Sequence, residues 1–117
     1  MSISFVEILE DDIFAGAEVI AGEGGRRRDI RRVSVFDCPY HEDMMEEGVL
    51  QEGDLFLSCL EQFPSGTDDI TRFFRGMINY KAAGLIVVPT GRTDLLSDNL
   101  IDICERADFP VIVVRRS

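Results

Sequence analysis

The one histidine of the chain, His41, lies three residues after Cys38 in the segment Cys38-Pro39-Tyr40-His41. A thiolate beside an imidazole is the pair used in nucleophilic cysteine catalysis, and both side chains also bind metals. A structural zinc site needs about four such ligands, and the sequence offers no second pair at metal-binding spacing. Cysteine catalysis needs a third group that orients the imidazole, and no motif identifies one. We therefore predict no catalytic residue, no metal site and no cofactor, and we expect the chain not to be an enzyme.

Two neighbouring segments could bind phosphate. Gly22-Glu23-Gly24-Gly25 is rich in glycine, but it lacks the Lys-Ser/Thr ending of a P-loop and opens no predicted helix, so we interpret it as a turn. The residues Arg26-Arg27-Arg28, Arg31 and Arg32 form the one basic cluster of an acidic chain. This cluster could bind an anionic ligand, a partner subunit or a downstream domain. Charge runs are usually solvated faces, so we favour a solvated turn balanced by nearby acids.

Three short apolar runs indicate the elements that position these residues. They are Leu55-Phe56-Leu57, Leu85-Ile86-Val87-Val88 and Val111-Ile112-Val113-Val114, and each follows a turn that contains glycine or proline. Runs this short, without polar alternation, are typical of parallel strands covered on both faces. Parallel strands need long crossovers, and each segment between the runs is long enough for a helix. The sequence therefore predicts an α/β fold with a mostly parallel sheet of about four to five strands and helices on both faces.

Two further strands are predicted before these runs. Residues 17–21 and 30–36 have the composition of strands, and a glycine-rich turn separates them. In the second strand we expect Ile30, Val33 and Val35 to be core residues. The two strands could form a hairpin or lie side by side, and the sequence leaves both arrangements open.

Three amphipathic segments predict helices. A capping box of Ser4 and Glu7 indicates a first helix that ends near residue 11 or 12, and a helical turn is expected within residues 42–47. Thr67 and Thr93 are candidate caps of two later helices. The apolar stripes of those helices are Ile70, Phe73, Phe74, Met77 and Ile78 in one, and Leu96, Leu100, Ile103, Cys104 and Ala107 in the other.

Polar residues follow three of the predicted strands. Asp37 follows the predicted strand at residues 30–36, Ser58 and Cys59 follow the Leu55-Phe56-Leu57 run, and Thr90 and Arg92 follow the run that begins at Leu85. Ligands of open parallel sheets bind at the carboxyl ends of the strands. We therefore predict a ligand site made of these five residues, whose donors and acceptors suit a small polar metabolite.

The composition restricts the class of protein. The chain has 117 residues with 22 acidic and 12 basic side chains, which gives a net charge of −10 at pH 7. We expect one domain, and the acidic balance argues against a nucleic-acid-binding surface. No apolar run is long enough for a membrane span, and no basic segment precedes an apolar stretch at the amino terminus. Three cysteines without paired spacing suit a reducing compartment, so we expect a cytoplasmic protein without membrane or direct DNA contact.

Several segments, taken in order, resemble one family. They cover nearly the whole chain, and they are Ser4-Phe5-Val6-Glu7-Ile8-Leu9, Phe14-Ala15-Gly16-Ala17-Glu18-Val19-Ile20-Ala21-Gly22, Ile30-Arg31-Arg32-Val33-Ser34-Val35-Phe36-Asp37, residues 50–57, Ala82-Ala83-Gly84-Leu85-Ile86-Val87-Val88 and Asp108-Phe109-Pro110-Val111-Ile112. This series is similar to the amino-terminal domain of PucR-type transcriptional regulators, which are named for the control of purine catabolism.

The resemblance implies a regulatory domain, residues 1–117, at the front of a longer bacterial regulator. It implies a small-molecule effector of the purine-catabolism type, such as a purine or a ureide, and a homodimer. The DNA-binding helix-turn-helix of the family normally lies far downstream. The chain departs from the family at Ser58-Cys59-Leu60, where a Thr-Gly is expected, so the effector or its pose could differ here.

Two alternatives stay open. The segment Gly53-Asp54-Leu55-Phe56-Leu57 and the later run from Ala83 to Val88 are similar to the amino-terminal domain of Mur ligases, which holds a uridine nucleotide. This resemblance implies a nucleotide-sugar-binding domain, although shared architecture alone would explain it. The other alternative is a pure protein-interaction scaffold, which would show neither ligand nor turnover.

Overall fold

The structure is a computed structural model that describes residues 3–4, 7–8, 10, 16–37, 42–44, 47–48, 50–63, 68–89 and 96–114. Its strands are β1 (Ile3–Ser4), β2 (Glu18–Ala21), β3 (Asp29–Ile30), β4 (Arg32–Val35), β5 (Asp54–Ser58), β6 (Gly84–Val87) and β7 (Val111–Val113). Its helices are α1 (Asp69–Asn79) and α2 (Asp98–Arg106), and short 3₁₀ turns cover Glu23–Gly25 and Glu42–Met44.

A five-stranded sheet forms the centre of the fold. Its strand order is β2-β7-β6-β5-β4, while β1 and β3 form a separate two-stranded ladder. The pairs β4–β5, β5–β6 and β6–β7 are parallel, and β2 pairs with β7 in the antiparallel direction. The helices α1 and α2 lie in the crossovers that lead to β6 and β7, as parallel pairing requires. This mixed sheet with helices confirms the predicted α/β class.

The strands direct alternate side chains to opposite faces of the sheet. On one face Phe56, Leu85, Val87 and Val111 pack with Phe73, Phe74 and Met77 of α1 and with Leu100 and Cys104 of α2. On the other face Leu55, Ile86 and Ile112 pack with Ile30 and with the partly buried Ile8, Ala17 and Val19. Both described helices therefore cover the same face. On the other face the helical residues within the described part of the chain are Glu7 and Ile8, of which Ile8 packs against the sheet, so the expectation of helices on both faces is met in part.

The strand at β4 differs from its prediction. Ile30 is 3% exposed, as expected, but Val33 and Val35 are 58% and 69% exposed, so the core prediction is confirmed for Ile30 and wrong for the two valines. The reason is the strand order, because β4 lies at one end of the sheet and no described element buries Val33 and Val35 there. The two early strands β2 and β4 lie at opposite ends of the sheet, so they form neither a hairpin nor an adjacent pair.

The two long helices confirm the predicted stripes. In α1 the buried residues are Phe73, Phe74 and Met77, and in α2 they are Leu100 and Cys104. The α2 helix begins later than expected, because Ser97 is its N-cap and accepts a hydrogen bond from the Leu100 N–H at 3.2 Å. The candidate caps Thr67 and Thr93 lie outside the described residues.

The predicted capping box near the amino terminus is present in part. The Ser4 hydroxyl accepts a hydrogen bond from the Glu7 N–H at 3.4 Å and donates to the Glu7 carboxylate at 3.3 Å. Glu7 and Ile8 are helical, while Ser4 itself belongs to β1 and pairs with Asp29. This turn brings Ile8 to the sheet face opposite the helices.

Candidate functional site

The carboxyl ends of β4 and β5 bring two predicted site residues to one edge of the sheet. The Phe36 N–H donates to the Leu57 carbonyl at 2.8 Å, which places the exposed Asp37 beside the end of β5, where Ser58 and Cys59 follow. The Val88 N–H donates to the Ser58 carbonyl at 3.1 Å, so the end of β6 is adjacent as well. Thr90 and Arg92 lie outside the described residues. The structure thus brings together Asp37, Ser58 and Cys59.

The Ser58 side chain is used inside the fold. It is 4% exposed, and its hydroxyl accepts hydrogen bonds from the Leu60 N–H at 3.0 Å and from Gln62 Nε2 at 3.4 Å. Gln62 Nε2 also donates to the Phe36 carbonyl at 3.2 Å. Among the described residues the buried Gln62 Oε1 has no hydrogen-bond partner. This edge therefore has a buried acceptor, but the Ser58 hydroxyl stabilises the strand ends rather than pointing at a ligand.

The two described cysteines differ in their environments. Cys59 is half-buried at the carboxyl edge, and Cys104 is buried on the face of α2 that packs against the sheet. Burial, reinforced by the neighbouring Glu105 carboxylate, raises the pKa of the Cys104 thiol to about 12. The Cys104 thiol is therefore protonated at neutral pH and is not available as a nucleophile or a metal ligand.

A cavity of about 420 Å³ lies at the opposite, amino edge of the parallel strands. Gly53 and Ala83 precede β5 and β6, so the strand starts form its floor together with Ile78 and Ala107 from the helices. The charged lining consists of Arg28, Asp29, Arg31, Glu52 and Lys81. The rule that open sheets bind at their carboxyl ends does not select this edge, and no sequence pattern marks Asp29, Glu52 and Lys81 as site residues.

Backbone contacts fix the positions of the charged groups around this cavity. The Arg31 N–H donates to the Gly53 carbonyl at 2.8 Å, and the Gly53 N–H donates to the Lys81 carbonyl at 3.0 Å. The Arg31 side chain lies across Gly53, where an added Cβ would be only 2.7 Å from Arg31 Cγ. Lys81 lies between α1 and β6 and has a left-handed conformation with a φ of 59°. The Lys81 side chain is exposed. A larger residue at position 53 would collide with the Arg31 side chain and would be strained at the φ of 82°, so this position requires glycine.

Weak pairings leave the cavity cations available. Arg31 Nη1 lies 4.0 Å from Glu52 Oε2, with both side chains exposed. Arg28 Nη2 donates to the Ala107 carbonyl at 3.0 Å, which uses one of the five N–H donors of the guanidinium. Exposed pairs at such distances contribute little to stability, so a ligand can replace them at low cost.

A bidentate ion pair stabilises the strand starts beside the cavity. Arg32 Nε and Nη2 donate to the two carboxylate oxygens of Asp54 at 2.8 and 2.6 Å. Asp54 is 1% exposed and also accepts from the Gln51 N–H at 2.9 Å. Hydrogen bonding to Asp54 raises the pKa of Arg32. Within the basic cluster, Arg32 is therefore a structural residue rather than part of a solvated turn.

The glycine-rich turn is structural, as predicted. Gly22 has a φ of 71°, and an added Cβ would collide with the backbone of Phe109. The Gly22 N–H donates to the Glu105 carboxylate at 2.6 Å, so its donor is already in use. This close approach to the α2–β7 connection explains the glycine without a phosphate.

Other classes of site receive no support from the described residues. Within them no three His, Cys, Asp or Glu side chains are grouped to hold a metal ion, and Cys38 and His41 lie outside the described ranges. Over the same part of the chain, no helix has both the length and the apolar character to cross a membrane.

A family comparison decides the relationship of the chain. The model of the purine catabolism regulatory protein-like family, PucR, matches residues 7–117. The chain belongs to the PucR family. This membership confirms the resemblance inferred from the ordered segments. A comparison with curated protein sequences finds no significant match.

One solved structure is similar to this PucR-family chain. It is the crystal structure of the CBS and DRTGG domains of the regulatory region of Clostridium perfringens pyrophosphatase, complexed with its activator, diadenosine tetraphosphate. The match has a TM-score of 0.58 and 20% sequence identity, and it covers 97% of this chain but only 42% of the other. At this identity the likeness shows the fold alone. This match does not support the expected structural resemblance to the amino-terminal domain of Mur ligases, because the matched structure is the regulatory region of a pyrophosphatase.

Proposed function

We propose that this PucR-family chain is a non-catalytic regulatory domain that binds a small polar effector. Membership of a family of regulators supports the regulatory role. The effector class is the one that the family name suggests, a metabolite of purine catabolism such as a purine or a ureide. The DNA contact of the whole regulator belongs to a segment downstream of this domain, in keeping with the net charge of −10. We expect the regulator to act in the cytoplasm and to form a homodimer.

The observation that carries the proposal is the cavity of about 420 Å³ at the amino edge of the sheet. Its volume is in the range of small-molecule sites. Arg28, Arg31 and Lys81 offer donors to carbonyl, carboxylate or phosphate oxygens, and Asp29 and Glu52 offer acceptors to ligand N–H groups. Purines and ureides carry both kinds of group, so the mixed lining suits them.

The carboxyl edge is the second candidate location for the effector. Asp37, Ser58, Cys59, Thr90 and Arg92 remain the residues proposed there. The buried and unpaired Gln62 Oε1 favours this edge, because a ligand donor would satisfy it. The internal hydrogen bonds of the Ser58 hydroxyl count against it.

A thermal-shift titration tests the proposal, because a ligand that binds only the native state raises Tm with concentration. The panel is xanthine, urate, allantoin, a uridine diphosphate sugar and diadenosine tetraphosphate. We expect a saturable rise with a purine or ureide, and no chemical change in the compound recovered afterwards. A rise with the uridine nucleotide alone would favour the Mur-like alternative, and no rise with any compound would contradict effector binding.

Matched variants locate the site. Lys81 is the only lysine of the chain, and Lys81→Ala removes one cavity donor while keeping a side chain at this left-handed position. We expect it to weaken effector binding by about 10-fold, the usual effect of losing one charged hydrogen bond. Arg27→Ala makes the same change in net charge at an exposed residue outside the cavity lining and serves as the control. Loss of binding in Asp37→Ala but not in Lys81→Ala would move the site to the carboxyl edge.

A further inference from the structure

The edge strand β4 presents an apolar surface to solvent. Val33 and Val35 are 58% and 69% exposed, the highest values among the large hydrophobic residues in the described part of the chain. Among the described strands, β4 pairs only with β5, and β1 pairs with β3 rather than with β4. Edge strands that expose valines in this way are templates for pairing with another strand.

The backbone groups of the same two residues point to the open edge. Phe36 donates its N–H to Leu57 of β5, at 2.8 Å. Alternate residues of a strand direct their N–H and C=O groups to opposite sides, so Val33 and Val35 direct theirs away from β5. Their side chains and their backbone groups are therefore both available to a partner strand.

The residues on this face of β4 have a self-complementary order. Val33 and Val35 lie two residues apart in β4, Arg31 and Asp37 flank the strand on either side, and all four residues are exposed. The Arg31 N–H donates to the Gly53 carbonyl beside the start of β5, so Arg31 adjoins β4 without continuing its alternation. If two copies of this segment lie antiparallel, the acid of one copy faces the base of the other, and each valine faces a valine.

We propose that β4 pairs with β4 of a second copy of this chain, antiparallel, about a two-fold axis at Ser34. This inference deepens the self-association part of the proposed function and rests on it. In this register Val33 faces Val35 of the second copy, and their outward backbone groups exchange hydrogen bonds. Arg31 faces Asp37 of the second copy, so two opposite-charge pairs flank four valines.

Charge complementarity favours a second copy over an unrelated partner. Each chain carries a net charge of −10, so association of two copies needs local attraction, which the two Arg31–Asp37 pairs provide. The charge of Arg32 on the same strand is already balanced by Asp54 at 2.6 Å and does not repel the second copy. A four-residue strand gives a small interface, so we expect a weak and concentration-dependent dimer.

Sedimentation velocity over a range of protein concentrations tests the pairing without any effector. We expect the chain to pass from monomer to dimer as its concentration rises. Val35→Lys buries a charge in the valine contact and should weaken dimerisation by about 10-fold or more. Tyr80→Lys places the same charge at another exposed apolar residue, outside β4, and should leave dimerisation unchanged. A chain that is monomeric throughout, or two variants with equal effects, would overturn the proposal.

A charge exchange distinguishes pairing in this register from nonspecific association. Arg31→Glu and Asp37→Arg each place like charges opposite one another and should weaken the dimer by about 10-fold. The double variant restores opposite charges and should recover the affinity of the parent chain. If the double variant is as weak as the single ones, β4 does not pair in this register. None of these outcomes depends on effector binding, which the thermal-shift titration measures separately.

Cross-linking tests the position of the two-fold axis. Ser34 would face Ser34 of the second copy in a non-hydrogen-bonded pair with Cα atoms about 4.5 Å apart, close enough for a disulfide. Under oxidation by copper phenanthroline we expect Ser34→Cys to give a covalent dimer. Ser97→Cys, at an exposed position on the α2 cap, and the parent chain are the controls. Equal cross-linking in all three would contradict the proposed axis.

Discussion

At the scale of single residues, the Arg32–Asp54 pair tests what holds the amino edge together. Asp54 is 1% exposed and accepts three hydrogen bonds, two from Arg32 and one from the Gln51 N–H. Asp54→Asn removes the charge and places an amide N–H₂ against these donors. The Arg32 side chain is 44% exposed and can regain water, so we expect a loss of about 1–3 kcal/mol in the free energy of unfolding, measured with urea.

Asp69→Asn is the control for this prediction. Its carboxylate lies 3.4 Å from Arg72 in an exposed pair, and its loss should change the free energy of unfolding by less than about 0.5 kcal/mol. Equal effects of the two substitutions would show that the Asp54 pair does not stabilise the strand starts.

The Cys104 thiol makes the stability of the fold depend on alkaline pH. Burial raises its pKa to about 12, above the value of about 8.5 for an unfolded thiol. The folded state therefore holds this proton more tightly, so its contribution is complete below pH 8.5 and falls as the pH rises towards 12. We expect a decline of about 1.4 kcal/mol per pH unit in that window, in urea unfolding at pH 8 to 11.

Cys104→Ala separates this thiol from the other groups that titrate at alkaline pH. The variant should be less stable at pH 8, because it leaves a cavity, but its stability should fall less steeply with pH. If the parent chain and the variant lose stability in parallel, Cys104 does not cause the decline.

At the scale of elements, Phe73 joins α1 to the sheet. Its ring is 0% exposed and lies 4.6 Å from the Phe36 ring and 5.3 Å from the Phe63 ring, measured between centroids. Phe73→Ala should lower the free energy of unfolding by about 3–5 kcal/mol, because it removes the centre of this cluster. Phe73→Leu, which keeps most of the volume, should lower it by less. Equal losses in urea unfolding would contradict a packing role.

The elements also show which parts of the fold the sequence predicts. The apolar runs at β5, β6 and β7 and the stripe of α1 are correct, because burial on both faces leaves a clear pattern. In the sequence, Val33 and Val35 cannot be distinguished from valines of the core. Their exposure follows from the strand order, which depends on pairing between distant segments. The start of α2 at Ser97 rather than Thr93 depends on one hydrogen bond that several hydroxyl residues could have made.

At the scale of the whole molecule, the candidate site was harder to predict than the fold. The carboxyl-end rule correctly brings Asp37 and Ser58 to one edge, but it cannot show that the Ser58 hydroxyl is used internally. The amino-edge cavity is lined by residues around β3, by the residues that precede β5, by residues between the end of α1 and β6, and by Ala107 after α2. No spacing within the sequence marks such a set, although the Arg26 to Arg32 cluster indicated part of it.

Arg31 belongs both to the proposed effector site and to the proposed dimer interface. It lines the amino-edge cavity and also faces Asp37 of the second copy in the proposed dimer. An effector that binds the Arg31 guanidinium removes it from that pair, so saturating effector should raise the Kd of the dimer, and dimerisation should weaken effector binding by the same factor. Sedimentation with and without effector measures this coupling. It should vanish in Arg31→Ala, and an unchanged Kd in the parent chain would show that the two surfaces are independent.

An amide ¹H–¹⁵N chemical-shift map, recorded during titration with the compound that raises Tm, would show whether a small polar effector binds at the amino edge of the sheet. We expect saturable shifts at the amides of residues 28–31, 52–54 and 81–83, which surround the cavity. Shifts confined to Asp37, Ser58 and Cys59 would place the effector at the carboxyl edge. An unchanged spectrum would contradict effector binding by this domain.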